Sequence, residues 1–177
     1  MSPHNPSAEK QSAHTHLPYR PCVGIMLLNA ANHVWLGHRF DEQMGNDEGR
    51  GAWWQMPQGG IDAGEDARKA AQRELFEETC VRSAKIIGEA SRWYDYDLPP
   101  HLVGKSWGGR YRGQTQRWFA MRFTGPDTEI SVAAPHGHKP EFDAWRWAPM
   151  HEVLGLVVPF KRGVYEKVIG EFKGLLK

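Results

Sequence analysis

Between Gly59 and Val81 the chain carries Gly59, five residues, Glu65, seven residues, and then Arg73-Glu74-Leu75-Phe76-Glu77-Glu78. On a helix, Glu74, Glu77 and Glu78 stand at i, i+3 and i+4 and leave from one face. Like charges at that spacing repel and weaken a plain surface helix. A Glu-rich stretch is commonly just a solvated face, so the flanks decide. Pro57-Gln58-Gly59-Gly60 and Gly64 make a glycine-rich turn ahead of the helix, with Glu65 and Asp66 at its positive end. Ala67, Ala70, Ala71, Leu75 and Val81 supply an apolar face for docking on a core. A compensating cation is the remedy for the repulsion, and carboxylate oxygens suit a hard divalent ion such as Mg²⁺ or Mn²⁺. Glycines permit close backbone approach, so a main-chain carbonyl near Gln58 or Gly59 is a candidate fellow ligand.

Gly-x5-Glu-x7-Arg-Glu-Leu-x-Glu-Glu resembles the box of the Nudix hydrolases, enzymes that cleave a nucleoside diphosphate linked to another group. The chain departs from the family pattern at Cys80, where a glycine usually caps the helix in a left-handed conformation. Such a cysteine costs on the order of 1 kcal/mol but removes no ligand. The resemblance extends over roughly residues 18–173. Tyr19-Arg20-Pro21, Trp54-Gln55-x-Pro57-Gln58-Gly59-Gly60, Gln114-x-Gln116-x-Trp118-Phe119, Glu141-Phe142-x-x-Trp145-Arg146-Trp147 and Phe160-Lys161-Arg162 are similar to one branch. That branch holds bacterial RNA 5′-pyrophosphohydrolases and dinucleoside polyphosphate hydrolases. Its bacterial members commonly place Ser before Phe-Lys-Arg, where this chain has Pro159.

The resemblance implies a site. Glu74, Glu77 and Glu78 would hold the metal, helped by the main chain near Gln58, and Glu141 would swing in as ligand or general base. Glu74 is the rival general base. Arg20, Arg39, Phe160 and Lys161 match positions that handle the terminal nucleotide and its phosphates. Glu65 and Arg73 would orient the carboxylates rather than touch substrate. Read without the resemblance, Arg20 and Arg39 are surface cations, Phe160 a core aromatic and Glu141 a free loop charge.

With 177 residues the chain suits one domain with a real core. A formal net charge of +1 leaves no overall polycation for duplex nucleic acid, so an anionic substrate must be met by a local patch and metal. Cys22 and Cys80 make neither a disulfide scaffold nor a metal cluster, and read as thiols in a reducing compartment. No segment has the roughly 18 apolar residues that span a membrane, and residues 1–16 lack the apolar stretch of a secretory signal. They read as a disordered tail before a domain over 17–177, with the cytoplasm as default location.

Pattern predicts strands over 22–28, 34–39, 51–56, 84–90, 92–98, 116–124 and 145–148, and helices over 66–79 and 161–176. Residues 29–33 read as a turn, and 44–50, 103–114 and 126–140 as loops. The glycine-rich, basic segment 104–113 reads as a lid, with Trp107 placed to meet a nucleobase. Trp35, Trp93, Trp118, Trp145 and Trp147 read as core. Mixed strands and helices in this order indicate α/β, here the Nudix fold: a mixed β-sheet sandwiched between α-helices.

The expected activity is hydrolysis of a phosphoanhydride, removing pyrophosphate from 5′-triphosphorylated RNA to leave a 5′-monophosphate and open the transcript to decay. The alternatives are cleavage of diadenosine tetraphosphate by the same site, and a non-catalytic RNA-binding module. The module should have lost a metal carboxylate, and this chain keeps all three.

Overall fold

The computed structural model describes residues 16–39, 53–133 and 139–176. The expected tail (His16 excepted), the loop at 44–50 and the start of the strand expected at 51 lie outside the described residues. Its strands are β1 (Tyr19–Leu28), β2 (Val34–Arg39), β3 (Trp53–Gln55), β4 (Gln58–Gly60), β5 (Ala84–Glu89), β6 (Tyr94–Asp97), β7 (Gly113–Phe123) and β8 (Ala144–Ala148). Three helices accompany them: α1 (Ala67–Thr79), the four-residue α2 (Val153–Leu156) and α3 (Pro159–Phe172).

The sheet runs β3-β2-β1-β7-β5, with β4 on β1, β6 on β7 and β8 on β2. Among the described residues only β1 and β7 pair in parallel, from Tyr19 opposite Gly113 to Leu28 opposite Arg122. These two central strands are covered on both faces, which explains the unbroken apolar run of β1. Val23, Ile25 and Leu27 enter the core that holds Ala70, Ala71 and Leu75 of α1. Met26 and Leu28 enter the core that holds Val164, Tyr165, Val168 and Phe172 of α3. The period of 2 along one strand thus sorts side chains between two cores. At Gly24 a Cβ would fall 2.4 Å from the Trp118 indole, which packs edge-on against Tyr165 at 5.4 Å.

Local chemistry sets the ends of α1. The Asp66 side chain accepts the backbone N–H of Arg68 at 3.0 Å and of Lys69 at 3.2 Å, satisfying two of the four orphan donors of the first turn. Cys80 closes the helix at φ 63°, its N–H bonding the Phe76 carbonyl, so the left-handed cap is present without its glycine.

Four expectations need correction. β7 begins at Gly113, because its first residues pair with both Tyr19 and Asp97. The strand expected over 92–98 is only Tyr94–Asp97, and Trp93, in the bend before it, is 44% exposed rather than core. The last helix ends at Phe172 and tightens into a 3₁₀ turn over Lys173–Leu175. The short α2 carries no periodicity long enough to be seen in the sequence. No helix among the described residues is long and apolar enough to cross a membrane.

Candidate active site

The site begins with a fork. Arg73, near the middle of α1, donates Nε and Nη2 to the two Glu65 oxygens at 2.8 Å each, and Nη2 also to the Gly60 carbonyl at 2.9 Å. Its Nη1 reaches Glu74 at 2.8 Å and Glu77 at 3.3 Å. Glu65 is eight residues away in sequence yet folds back from the glycine turn, where the Asp62 N–H also holds it at 2.9 Å. One planar cation therefore ties the turn to the acidic face of the helix.

The carboxylates on that fork differ by their surroundings. Hydrogen bonds from Arg73, then from the Asp62 backbone, hold Glu65 down at about 2. Burial pushes Glu74 up to about 6, against the pull of Arg73 and with help from the charges of Glu77 and Glu141. Glu74 lies so close under the turn that a Cβ on Gly59 would sit 1.9 Å from its carboxyl carbon. Glu78 is buried, and desolvation, then the charges of Glu141 and Glu74, raise its pKa well above the carboxylate range. It accepts the Gln58 N–H at 3.0 Å.

Glu141 comes from a distant part of the chain. Phe142 beside it is buried against Gly37 and packs edge-on on Trp35 at 5.5 Å, and Asp143 pairs with His38. This anchor leaves Glu141 half-exposed, 3.4 Å from Arg39. Glu74, Glu77, Glu78 and Glu141 together line a cavity of about 150 Å³.

A larger cavity of about 530 Å³ shares Glu74, Glu77 and Glu141 and adds four cations: Arg20, Arg39, Lys105 and Lys161. Arg20 lies over Gly60, and its guanidinium sits 5.6 Å from the Trp107 ring, which also lines the space. Phe160 lines the cavity while packing against the edge of the core, tilted against Tyr96 at 5.7 Å. Lys161 is only 5% exposed, and its Nζ donates to Gln55 at 3.1 Å and Gln58 at 3.0 Å. Burial, then Arg39, lowers its pKa to about 7 against the pull of Glu78 and Glu141. Holding Lys161 orphans Gln55 Nε2, a buried amide donor left without a partner.

Every site residue expected from the sequence thus lies in or beside one cleft. The basic loop contributes Lys105 and Trp107, but Arg112 pairs with Asp97 at 2.7 Å and Arg117 with Glu89 at 2.8 Å. Sequence reasoning missed Tyr96, Gln55 and the pair Gln114 and Gln116. The alternation of those two glutamines in an otherwise apolar strand was the available signal.

Glu74 and Glu78, which burial and neighbouring charges set against ionisation, together with Glu77 and Glu141 around the same cavity, match the oxygen donor set of a hard divalent cation. Among the described residues no three acidic, His or Cys side chains already form a closed ligand set. Glu74 is turned to Arg73 and Glu78 to the Gln58 amide, so a cation would have to compete with both.

A family model described as the NUDIX domain matches residues 18–168. The chain is 56% identical over 164 residues to a protein of Rhizobium meliloti (strain 1021) named RNA pyrophosphohydrolase, covering 91% of this chain and 97% of that one. A protein of the same name from Mesorhizobium japonicum is 52% identical over 173 residues, covering 97% and 99%. Among solved structures, a MutT protein from Methanosarcina mazei Go1 superposes with a TM-score of 0.60 at 17% identity, over 89% of this chain and 98% of that one. The E. coli dihydroneopterin triphosphate pyrophosphohydrolase does so at 0.60 and 19%, over 85% and 96%. At such identities the structures speak for the fold alone.

Proposed function

This chain belongs to the Nudix hydrolase family, and from that premise we propose that it removes pyrophosphate from the 5′ end of triphosphorylated RNA, leaving a 5′-monophosphate and starting decay. The observation that carries the reading is the buried Glu78, repelled by Glu74 and Glu141, in a small acidic cavity that shares Glu74, Glu77 and Glu141 with a larger one to which Arg20, Arg39, Lys105 and Lys161 add positive charge. Relatives at 52–56% identity that are named RNA pyrophosphohydrolase support the choice of substrate. A transcript substrate would support a cytoplasmic location.

Glu74, Glu77, Glu78 and Glu141, with the main chain around Gln58, are assigned to hold divalent cation, Mg²⁺ or Mn²⁺. When bound there, such a cation neutralises phosphate charge and acidifies water. Everything else falls to the chain's own groups. Glu141 accepts the proton of the attacking water: like Glu74 it lines both cavities, but it is half-exposed and meets Arg39 at a long 3.4 Å, whereas Glu74 is held on Arg73 at 2.8 Å. The water oxygen bonds to phosphorus as the anhydride P–O bond breaks, and the charge on the departing pyrophosphate is met by Arg20 and Lys161. Lys161, poised near 7, gains its proton as phosphate charge arrives. Phe160 with Tyr96 offers an aromatic face to a base, and every base has a π-face to stack on it, so the 5′ end is gripped with little sequence demand. Glu65 and Arg73 keep the carboxylates in place.

The test is purified protein with Mg²⁺ on 5′-triphosphorylated RNA and on diadenosine tetraphosphate in parallel, with Glu78→Gln as control. Preference for RNA, lost in the control, is expected. Preference for the dinucleotide would replace the substrate, and inactivity on both with Mg²⁺ and then Mn²⁺ would sink the reading.

A further inference from the structure

The floor of the larger cavity is a chain of buried amides whose polarity is set from its ends. At one end, the Trp118 indole N–H, which can only donate, bonds Gln116 Oε1 at 3.0 Å. Gln116 must then present its amino group onward, and Nε2 donates to Gln114 Oε1 at 2.8 Å. At the other end Lys161 donates to Gln58 Oε1 at 3.0 Å, which turns Gln58 Nε2 toward Gln114 Oε1 at 3.3 Å. Two routes converge on the same oxygen. The indole route suffices alone and is independent of any proton equilibrium. Turning the Gln114 amide over would set its amino group against two others, three donors with no acceptor between them.

The consequence lies on the cavity side. With its oxygen held inward, Gln114 must aim Nε2 elsewhere. That atom has no hydrogen-bond partner among the described residues, and unlike Gln55 Nε2 it is not a sealed orphan. Gln114 lines the cavity although the residue is only 3% exposed. In the sheet its register partners are Arg20 on β1 and Tyr96 on β6, and both line the same space. A free glutamine can rotate to accept or donate. This one is locked as a donor beside Arg20 and Lys161, a setting that selects an anionic oxygen.

Building on the polyphosphate reading above, we infer that Gln114 is a substrate-binding residue whose amide N–H groups hold a non-bridging oxygen of the substrate's phosphate chain. It complements the cations by direction: an ammonium attracts any nearby anion, whereas a locked planar amide accepts an oxygen along two fixed N–H vectors.

Gln114→Glu separates this role from a structural one. It keeps an oxygen for Gln58 and Gln116 to donate to and replaces the cavity-facing amino group by an acceptor that carries negative charge, so the neutral Gln114→Met is measured beside it to separate the lost donor from charge repulsion. The measurement is kcat and KM for wild type and variant on 5′-triphosphorylated RNAs beginning with A and with G, with thermal melting of both proteins. The expected result is a KM raised about 10- to 100-fold on both RNAs, the loss of a hydrogen bond to a charged group, with kcat close to wild type. Gln114→Met, similar in length and without a donor, also serves alone should the glutamate disturb folding, and the same rise in KM is expected. Unchanged KM in a folded variant overturns the inference. So does a fall in kcat alone, which would make Gln114 only a prop for Gln58. A KM rise confined to one starting base would move the contact to the base and also overturn it. Wild-type turnover is the internal control: if wild type fails on both RNAs, it is the proposed function that falls.

Discussion

The two walls of the cleft are built on opposite principles. The wall made by α1 is held at every point: Asp66 caps its start, Cys80 its end, and Arg73 pins its acidic face to the glycine turn. The facing wall, from Pro99 to Arg112, is hinged on glycines at positive φ, Gly104, Gly108 and Gly109, and carries Trp107 itself at φ 50°. A tryptophan in the left-handed region is strained by about 1–2 kcal/mol. The difference teaches a division of labour. On the proposed reading, the three carboxylates of α1 that would share a cation take their spacing from a braced element. Lys105 and Trp107 instead join the cleft from a segment with Gly104, Trp107, Gly108 and Gly109 at positive φ.

The largest effect should come from the braced wall. Glu78→Gln is expected to lower hydrolysis of 5′-triphosphorylated RNA by at least about 10³-fold while the protein stays folded, as read by turnover and circular dichroism. Retained activity would mean that the buried carboxylate is not needed. Arg73→Ala should be next. It leaves Glu65, Glu74 and Glu77 without their shared partner and is expected to cut activity about 10- to 100-fold, with a lowered melting temperature. If the melting temperature falls but turnover does not, the fork serves stability alone.

The same fork gives opposite pH behaviour at its two ends. Glu74, raised to about 6 from 4.5, keeps in the native state a proton that the unfolded chain has released. Its contribution is full below the unfolded value and is lost as pH rises through 6, about 2 kcal/mol in metal-free protein. Glu65, lowered to about 2, contributes above 4.5 and loses its share as pH falls toward 2. Chemical denaturation of metal-free protein at pH 5 and pH 8 should show a smaller loss in Glu74→Gln than in wild type, the remainder coming from Glu78, whose pKa is raised in the same direction. A difference unchanged by the substitution would place the whole effect on other groups.

On the hinged wall, Trp107→Ala should raise KM about 10-fold, the loss of a single base or cation stack, with kcat little changed. A collapse of kcat instead would make the loop part of the chemistry. The smallest change should be Cys80→Gly, which relieves the left-handed cysteine and is expected to stabilise α1 by on the order of 1 kcal/mol in denaturant melts.

What could be read from sequence followed the range of the forces involved. α1, the acidic pair at its start and the left-handed position of Cys80 were legible because each depends on residues within a turn or two, although Asp66 proved to cap the helix rather than begin it. The return of Glu65 onto Arg73 was legible in outline, through the spacing of the box. The meeting of Glu141 with α1 came from resemblance, since the anchor that places it, Phe142 against Gly37, joins elements far apart in sequence. The burial of Lys161 was not legible: a lysine in a helical first turn ordinarily reaches water, and only the packing of Gln55 and Gln58 around it shows otherwise. Trp93 misled because a tryptophan in a strand-like context reads as core, whereas the alternation that buries Tyr94 and Tyr96 leaves Trp93 on the exposed side.

The central claim is that buried, mutually repelling carboxylates bind a cation in order to cleave the phosphate chain at an RNA 5′ end. Its most direct test is release of pyrophosphate from 5′-triphosphorylated RNA as Mg²⁺ is titrated into wild type and Glu78→Gln. The account predicts a saturable rise from no activity in the wild type and a flat line in the variant. Mg²⁺-independent release, or equal release by both proteins, would contradict it.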